Sequence, residues 1–297
     1  MAEKKLKLSV IVLSWNTKEI LRQCLASVMK EVREMGEIGE IEVIVVDNGS
    51  VDGSPQMVKK EFPEVKLLVN KENLGFAKGN NQGIEAARGK YIMLLNSDTV
   101  VKRGAFKRLT DFLDQNPRVA VVGPKLLNPD GSAQANCGRF PNLLVAIVML
   151  FGEHWGGSDY VRCSPGTSCF VDWLMGAAFI ARQEVFEKVG GLDEDLFMYM
   201  EEVEWFYRAR KADFRAYFLK EAEIIHLGRG SAKQGKKEPI INIYRGLIHY
   251  YRKHRTKFEL IILLVMLKLK ALLSLIIGYL KNDNYLQETY GEALKIN

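Results

Sequence analysis

Four short apolar runs recur between helical patterns over the first hundred residues: "KLSVIVLSW", "IEVIVVD", "VKLLVN" and "KYIMLLNSD". Each is too short and too rich in Val, Ile and Leu to be a helix of its own, and each reads as a buried strand. Between the first two, Ile20, Leu21, Cys24, Leu25, Val28 and Met29 fall at helical spacing. Asn16 with Glu19 three residues on predicts a capping box at that helix's start. "FAKGNNQGIEAARG" reads as a loop entering a helix, with Gly89 as its C-cap. "RGAFKRLTDFLDQNP" is a helix stopped by Pro117, and "VAVVGPKLL" is a strand followed by the turn "NPDG". Strands alternating with helices demand a mostly parallel sheet covered on both faces. Ligands of such sheets bind at the carboxyl ends of the strands. Asp47, Asn70 and Asp98 all fall on that rim.

The second half is less regular. "FVDWLMGAAFIAR" reads as one strand, in which Gly176, Ala177 and Ala178 are too small to fill space and mark close approach of a ligand or backbone. "RQEVFEKVGG" is a short helix closed by glycine. A further helix starts near Met198, and a strand ends at His226 before a Gly-rich basic loop.

Composition narrows the class. At 297 residues, 47% hydrophobic and 26% charged, the chain can bury a sizeable core. A net charge of +6 fits an anionic partner: nucleic acid, a membrane surface or a phosphorylated ligand. The basic residues are not interleaved with a stacking platform, which argues against nucleic acid. Cys24, Cys137, Cys163 and Cys169 include no Cys-x-x-Cys pair, so they read as free thiols. The apolar run after Lys4, Lys5 and Lys7 is too short for a signal peptide and reads as a first strand.

Four stretches carry candidate chemistry. In "VVDNGSVDGS", Asp47 ends a buried strand and could accept a hydrogen bond from a base or sugar; turn chemistry alone is the plainer reading. "NLGFAKGNNQGI" could turn backbone N–H groups at a helix start toward an anion, with Lys78 adding charge. It is neither a P-loop nor a GxGxxG fingerprint. In "LLNSDTVV", a lone Asp98 at a strand end suits magnesium or manganese, which take one or two protein carboxylates and fill their shells with phosphate and water. In "YMEEVEWFYRAR", Glu204 with Arg208 reads as an i,i+4 surface pair. The adjacent Glu201 and Glu202 follow an apolar run, which would raise a carboxyl pKa as a general base requires.

Taken in order, "SVIVLSWN", "VVDNGSVDGS", "NLGFAKGNNQGI", "LLNSDTVV", "GAAFIARQEVFEKVGGLDEDLFMYMEEVEWFYRAR" and "HLGRGS" resemble the family 2 glycosyltransferases of GT-A fold. Within them the chain is most similar to the rhamnosyltransferase-like branch of bacterial surface polysaccharide synthesis. The resemblance covers residues 7 to 257. It implies an α/β fold with a Rossmann-like, mostly parallel sheet flanked by helices, over residues 1–257. A C-terminal helical extension follows over residues 258–297. It implies that Asp47 contacts the nucleotide base and that Asn96-Ser97-Asp98 stands in the place of the DxD motif, with Asp98 on Mg2+ or Mn2+. His226 would be a further metal ligand or phosphate contact, and Lys78 would lie near the diphosphate. Asn48, Asn73, Gly75, Asn80, Gly176 and Ala177 would complete the donor site. Glu202 would be the catalytic base, with Glu201 its rival. The chain departs from the family pattern in having Asn96 at the first DxD position and a Glu-Glu pair where Glu-Asp is usual.

The activity implied is inverting, metal-dependent transfer of a sugar, with rhamnose a candidate, from a dTDP- or UDP-linked donor to a glycan or lipid-linked acceptor. Two alternatives compete: a nucleotidyltransferase, which would need a basic Gly-rich loop near the N-terminus, and a catalytically degenerate nucleotide-sugar-binding or scaffold protein of the same fold. In the tail, basic residues from Arg245 to Lys257 precede a long apolar helical pattern interrupted by Lys268 and Lys270. That pattern suits a helix in the interface of an anionic membrane better than a buried span. The expected location is cytoplasmic, peripheral at the inner face of the cell membrane. Packing of that helix on the domain, or on a second copy in a homodimer, is the competing reading.

Overall fold

The computed structural model describes residues 6–35, 40–152, 158–228 and 237–296. The predicted alternation forms: β1 (Leu8–Ser14), α1 (Lys18–Glu34), β2 (Ile41–Asp47), α2 (Ser54–Glu61), β3 (Lys66–Val69), α3 (Gly75–Ala86) and β4 (Tyr91–Asn96). Then come β5 (Thr99–Val101), α4 (Ala105–Gln115), β6 (Val121–Leu127), β7 (Ala133–Gln134), β8 (Cys137–Gly138), α5 (Leu143–Phe151) and α6 (Ser158–Val161). After β9 (Arg162–Cys163), β10 (Cys169–Val171), β11 (Trp173–Leu174) and β12 (Ala178–Arg182) come α7 (Gln183–Val189), α8 (Glu201–Lys211) and β13 (Ala216–His226). The chain closes with α9 (Lys237–His254), α10 (Lys257–Leu280) and α11 (Asn284–Ala293).

The main sheet runs β10-β13-β6-β12-β4-β1-β2-β3. β3, β2, β1 and β4 are mutually parallel, as are β13 and β6, whereas β12 is antiparallel to both of its neighbours. Val10, Ile11, Val12, Ile44, Val45 and Met93 are fully buried, so both faces of these strands are covered. That burial is why they read as continuous apolar runs rather than alternating ones. β8, β9 and β11 form a separate small sheet.

Several local expectations change. The predicted capping box does not form: Thr17 is the N-cap of α1 without a side-chain cap, and Asn16, at φ +52°, accepts from the Val51 N–H instead. Gly89 is not a C-cap. The helix ends at Ala86, and a Cβ on Gly89 would lie 2.6 Å from the Ser9 backbone nitrogen, so the residue is small to let the chain cross β1. "FVDWLMGAAFIAR" is three strands with Met175–Ala177 as a turn. The Gly-rich stretch is mostly helix: a Cβ on Gly79 or Gly83 would meet Leu13 or Ile11 side chains at 2.4 and 2.3 Å. These glycines set the close packing of α3 on β1. The helix expected near Met198 begins at Glu201.

The C-terminal helices pack with α5 around their own core of Ala146, Leu150, Leu247, Tyr250, Tyr251, Leu263 and Leu267. α10 is long and apolar enough to cross a membrane by length and composition. Its buried side faces the protein, while Phe258, Ile261, Val265, Leu269, Leu272 and Ile276 lie exposed. The two lysines that interrupt the sequence pattern do not interrupt this face. The Lys268 ammonium donates to the Ile296 carbonyl 2.8 Å away and to that of Leu294, and Lys270 lies 6.0 Å from the Phe151 ring.

Candidate functional site

A cavity of about 250 Å³ opens at the carboxyl ends of β1 and β4. Asn48, Asn73, Gly75, Asn96, Ser97, Asp98, Gly176, Ala177, Glu201, Glu202 and His226 all line it. They come from segments nearly two hundred residues apart in sequence. Of the remaining expected residues, Asp47 is buried at the end of β2, Asn80 is buried in α3, and Lys78 is half exposed; none of the three is in the cavity wall.

Asp98 sits in the turn from β4 to β5. The Asn96 N–H donates to the Ala177 carbonyl at 2.9 Å, and the Thr99 hydroxyl to the Asn96 carbonyl at 2.8 Å, which fix that turn. β5 is zipped antiparallel to the end of β13, with His226 opposite Thr99, and the Leu227 N–H donates to the Asp98 carbonyl at 2.8 Å. This pairing brings His226 Nε2 to 3.2 Å from Asp98 Oδ1. The Gly-rich basic loop after His226 lies, from Arg229 on, outside the described residues.

Asn48 organises the β2–α2 edge. Its side-chain amide donates to Asn73 Oδ1 at 3.1 Å and to the Gly75 carbonyl at 2.9 Å, and it accepts from Asn70 at 3.0 Å. Asn70, on the same rim, is therefore spent on holding the loop. Gly75 has φ +86°, and a Cβ there would lie 2.6 Å from the Phe197 carbonyl oxygen, so only glycine fits. Asp47 Oδ1 accepts from the Ser50 N–H at 2.8 Å, while its Oδ2 is buried with no partner among the described residues. Asn80 donates to the Phe76 carbonyl at 2.9 Å, and Lys78 lies 4.0 Å from Glu194.

Glu201 and Glu202 open α8 just after two left-handed residues, Tyr199 (φ +70°) and Met200 (φ +76°). Non-glycine residues held there are strained. Gly246 of α9 makes room for the turn, since a Cβ on it would meet Met200 Cβ at 2.7 Å. Each glutamate has an Oε2 without a partner among the described residues. Burial, and then the neighbouring Glu202 charge, push the Glu201 carboxyl well above its ordinary range. Burial also raises Glu202, but the Gly176 backbone N–H and the Arg162 guanidinium pull against it. Both carboxyls are thus raised by burial, and the opposing contacts of Gly176 and Arg162 act at Glu202.

Glu204 differs from its expected role. It is a pair with Arg208 but not a surface one: its side chain is fully buried, and it gathers Arg208, Lys253 and His254. Sequence reasoning missed Arg162, which faces Glu202 in the cavity wall; "YVRCSP" has no feature that would single it out. It also missed Thr17, whose hydroxyl lies 3.2 Å from that of Ser97. A second acid–imidazole group, Asp193, Asp195 and His249, lies elsewhere, but Asp193 Oδ2 is already held by His249 and Lys253.

The sequence model of Glycosyl transferase family 2 matches residues 9–204. An N-acetylglucosaminyl-diphospho-decaprenol L-rhamnosyltransferase of Mycobacterium tuberculosis is 30% identical over 204 residues, 63% of this chain and 66% of that protein. A low-salt glycan biosynthesis hexosyltransferase of Haloferax volcanii is 23% identical over 223 residues, 74% of this chain and 66% of that protein. The chain thus spans just under two thirds of the length of these curated relatives. Among solved structures, a mannosyltransferase from Pyrobaculum calidifontis in complex with GDP-Man and Mn2+ superposes with TM-score 0.56 at 18% identity, over 83% of this chain and 63% of that one. GalNAc-T7 with UDP, GalNAc and Mn2+ superposes with TM-score 0.59 at 17% identity, over 82% and 48%. At these identities the likeness is one of fold, and the fold is GT-A.

Proposed function

Because the chain belongs to the family 2 glycosyltransferases, we propose that it transfers rhamnose from a nucleoside diphosphate donor to a lipid-linked glycan acceptor, with inversion at the anomeric carbon. The observation that carries the reading is the convergence of Asp98 and His226 with Glu201 and Glu202 on one cavity at the strand ends. The mycobacterial relative's name supports rhamnose and a diphosphate-linked acceptor. dTDP- and UDP-sugars are the donors to try first.

Asp98 and His226 fit a divalent ion. A carboxylate oxygen and an imidazole nitrogen 3.2 Å apart are ligand types that manganese accepts, and magnesium suits the carboxylate. Such an ion, when bound, supplies positive charge beside the donor diphosphate. Asn48, Asn73, Gly75, Ser97, Gly176 and Ala177 shape the donor's bed, and Asn96 contributes a neutral amide rather than a second charge. Asp47 Oδ2, buried without a partner among the described residues, is the acceptor for a base N–H in this reading. Lys78 and Asn80 lie within α3 and act through that helix.

The acceptor hydroxyl attacks the sugar's anomeric carbon on the face opposite the diphosphate. The carbon–oxygen bond to phosphate breaks, and its electron pair leaves with the diphosphate. The hydroxyl proton passes to Glu202, the carboxylate that Arg162 and the Gly176 N–H favour. Burial and the neighbouring Glu202 charge favour the protonated form of Glu201. One displacement with one base gives inversion.

A membrane-interface location accompanies this reading. The exposed side of α10, from Phe258 (72% exposed) to Leu280 (82% exposed), is apolar along about 33 Å of helix. Lys257 and Lys281 stand exposed at its two ends, where headgroup phosphates would lie. A second copy of the chain covering that face is the competing occupant.

The test is a panel of nucleotide sugars incubated with the full chain, following nucleoside diphosphate release with and without Mn2+ or Mg2+. Metal-dependent release from one donor is expected, abolished in Asp98→Ala and lowered about 10²–10⁴-fold in Glu202→Gln. Tight nucleotide binding without release from any donor, with membrane lipid extract added as acceptor, would replace this proposal with a binding protein of the same fold.

A further inference from the structure

The "NPDG" turn after β6 has no part in the reaction above, yet a directed chain of hydrogen bonds leads from it to His226. The Ser132 hydroxyl donates to Asp130 Oδ1 at 2.6 Å. The Asn128 amide donates to the Ser132 oxygen at 2.9 Å. Gln134 Nε2 donates to Asn128 Oδ1 at 2.9 Å. Gln134 Oε1 then lies 2.7 Å from His226 Nδ1. A carboxylate can only accept, so Asp130 fixes the direction of every link. With its Nε2 turned to Asn128 Oδ1 and, at 3.4 Å, to the His226 carbonyl, Gln134 can meet the His226 ring only as an acceptor. His226 must therefore carry a proton on Nδ1.

We propose that Gln134, polarised by the Asn128–Ser132 turn, is a positioning residue that fixes the tautomer and ring plane of His226 so that Nε2 presents its lone pair beside Asp98. The inference rests on the metal reading given above. An Nδ1–H imidazole places Nε2 and Asp98 Oδ1, two acceptors, 3.2 Å apart. A divalent ion bound by both atoms would sit where this lone pair and the carboxylate oxygen converge. Imidazole ligands commonly have the ring nitrogen opposite the metal held by such a partner, and its loss weakens metal affinity about 10–100-fold. β7, only two residues long, is pinned to β6 with Gln134 opposite Leu126, so the relay is built on the sheet that also carries His226.

The experiment is Mn2+ titration of the full chain, followed by the paramagnetic resonance signal of free Mn2+, with dTDP and then UDP present. Three proteins are compared: the unaltered chain, Gln134→Leu and Gln134→Glu. Leucine removes the acceptor, and Mn2+ affinity should fall about tenfold. Glutamate cannot donate to Asn128, but it accepts the Nδ1 proton and should bind Mn2+ at least as tightly as the unaltered chain. A part in packing the turn alone predicts the reverse for glutamate, because the Asn128 link is what it loses. Leucine binding as well as glutamine, or glutamate binding as poorly as leucine in chains of unchanged melting temperature, would overturn the inference. Absence of Mn2+ binding by the unaltered chain would overturn the metal reading itself, and this one with it.

Discussion

Replacing Glu204 with leucine tests whether the C-terminal helices are tied to the catalytic domain by charge as well as by packing. The carboxylate is fully buried. It takes both oxygens to Arg208 Nε at 3.0 and 2.8 Å, and Oε1 also meets Lys253 and His254, each at 2.9 Å. Orphaning the partners of a buried charge costs about 3–5 kcal/mol. Here the partners keep other bonds: Arg208 donates to the carbonyls of Val189 and Gly191, and Lys253 reaches Asp193 at 2.6 Å. The lower end, about 3 kcal/mol, is therefore expected. For a chain of this size that is a fall in melting temperature of roughly 6–10 °C. Burial alone would raise the Glu204 pKa, but the Arg208 charge and hydrogen bonds from Lys253, Arg208 and His254 outweigh it and hold it low. A carboxylate whose folded pKa is depressed contributes stability above its unfolded value, and that contribution is lost as pH falls through the folded one. The difference between the two proteins should thus be full at pH 7 and shrink on acidification below about pH 4.5. Melts followed by circular dichroism across that range supply the comparison. A loss under 1 kcal/mol, or one that does not depend on pH, would refute the reasoning.

Glu201→Gln should raise stability at pH 8 more than at pH 5. The folded pKa is raised, so the native state loses stability as pH climbs from the unfolded value through the folded one, and glutamine removes that penalty; paired melts at the two pH values check it. For Glu202, catalysis needs the ionised form, and its pKa is raised mainly by burial. The acid limb of kcat/KM should therefore lie above the ordinary glutamate value of about 4.3, and a limb below it would contradict the assignment. Gly83→Ala should cost about 1–3 kcal/mol, since its Cβ would meet Ile11 Cγ2 at 2.3 Å; unchanged urea denaturation would mean α3 shifts freely on β1. Val265→Glu with Leu272→Glu on α10 should abolish sedimentation with anionic vesicles without changing donor hydrolysis. Retained sedimentation, or a loss of self-association instead, would assign the face to another occupant.

The parallel strands were legible because burial on both faces leaves a run of Val, Ile and Leu that few other elements tolerate. The reach of Asp98 was legible for the same reason, since a polar stop on such a run has to emerge at the strand's end. The pairing of His226 with Asp98 was not legible from local pattern. It depends on β5 meeting β13 across more than a hundred residues, and only the family resemblance suggested it. Gly79 and Gly83 of α3 make room for β1, whereas Gly75 lines the cavity, a difference not legible because a sequence does not distinguish room made for a ligand from room made for a strand. The reversal at Gly176–Ala177 was hidden inside an apolar segment that lacks strong turn residues. Lys268 looked like a break in an apolar helix because its partners, the last carbonyls of the chain, are supplied by tertiary packing.

Gly246 bears on how this protein can be cut down. The left-handed pair Tyr199–Met200 aims both glutamates, and what leaves space for it is a missing side chain on a helix that begins after the last strand. A fragment ending at Gly228 would retain every described residue that lines the cavity, yet it would lack the wall against which that turn is formed. Shortening to residue 257 removes the apolar helix and spares the wall. A cut after α9 is therefore the shortest that keeps the wall, although the strands and the cavity-lining carboxylates all precede it.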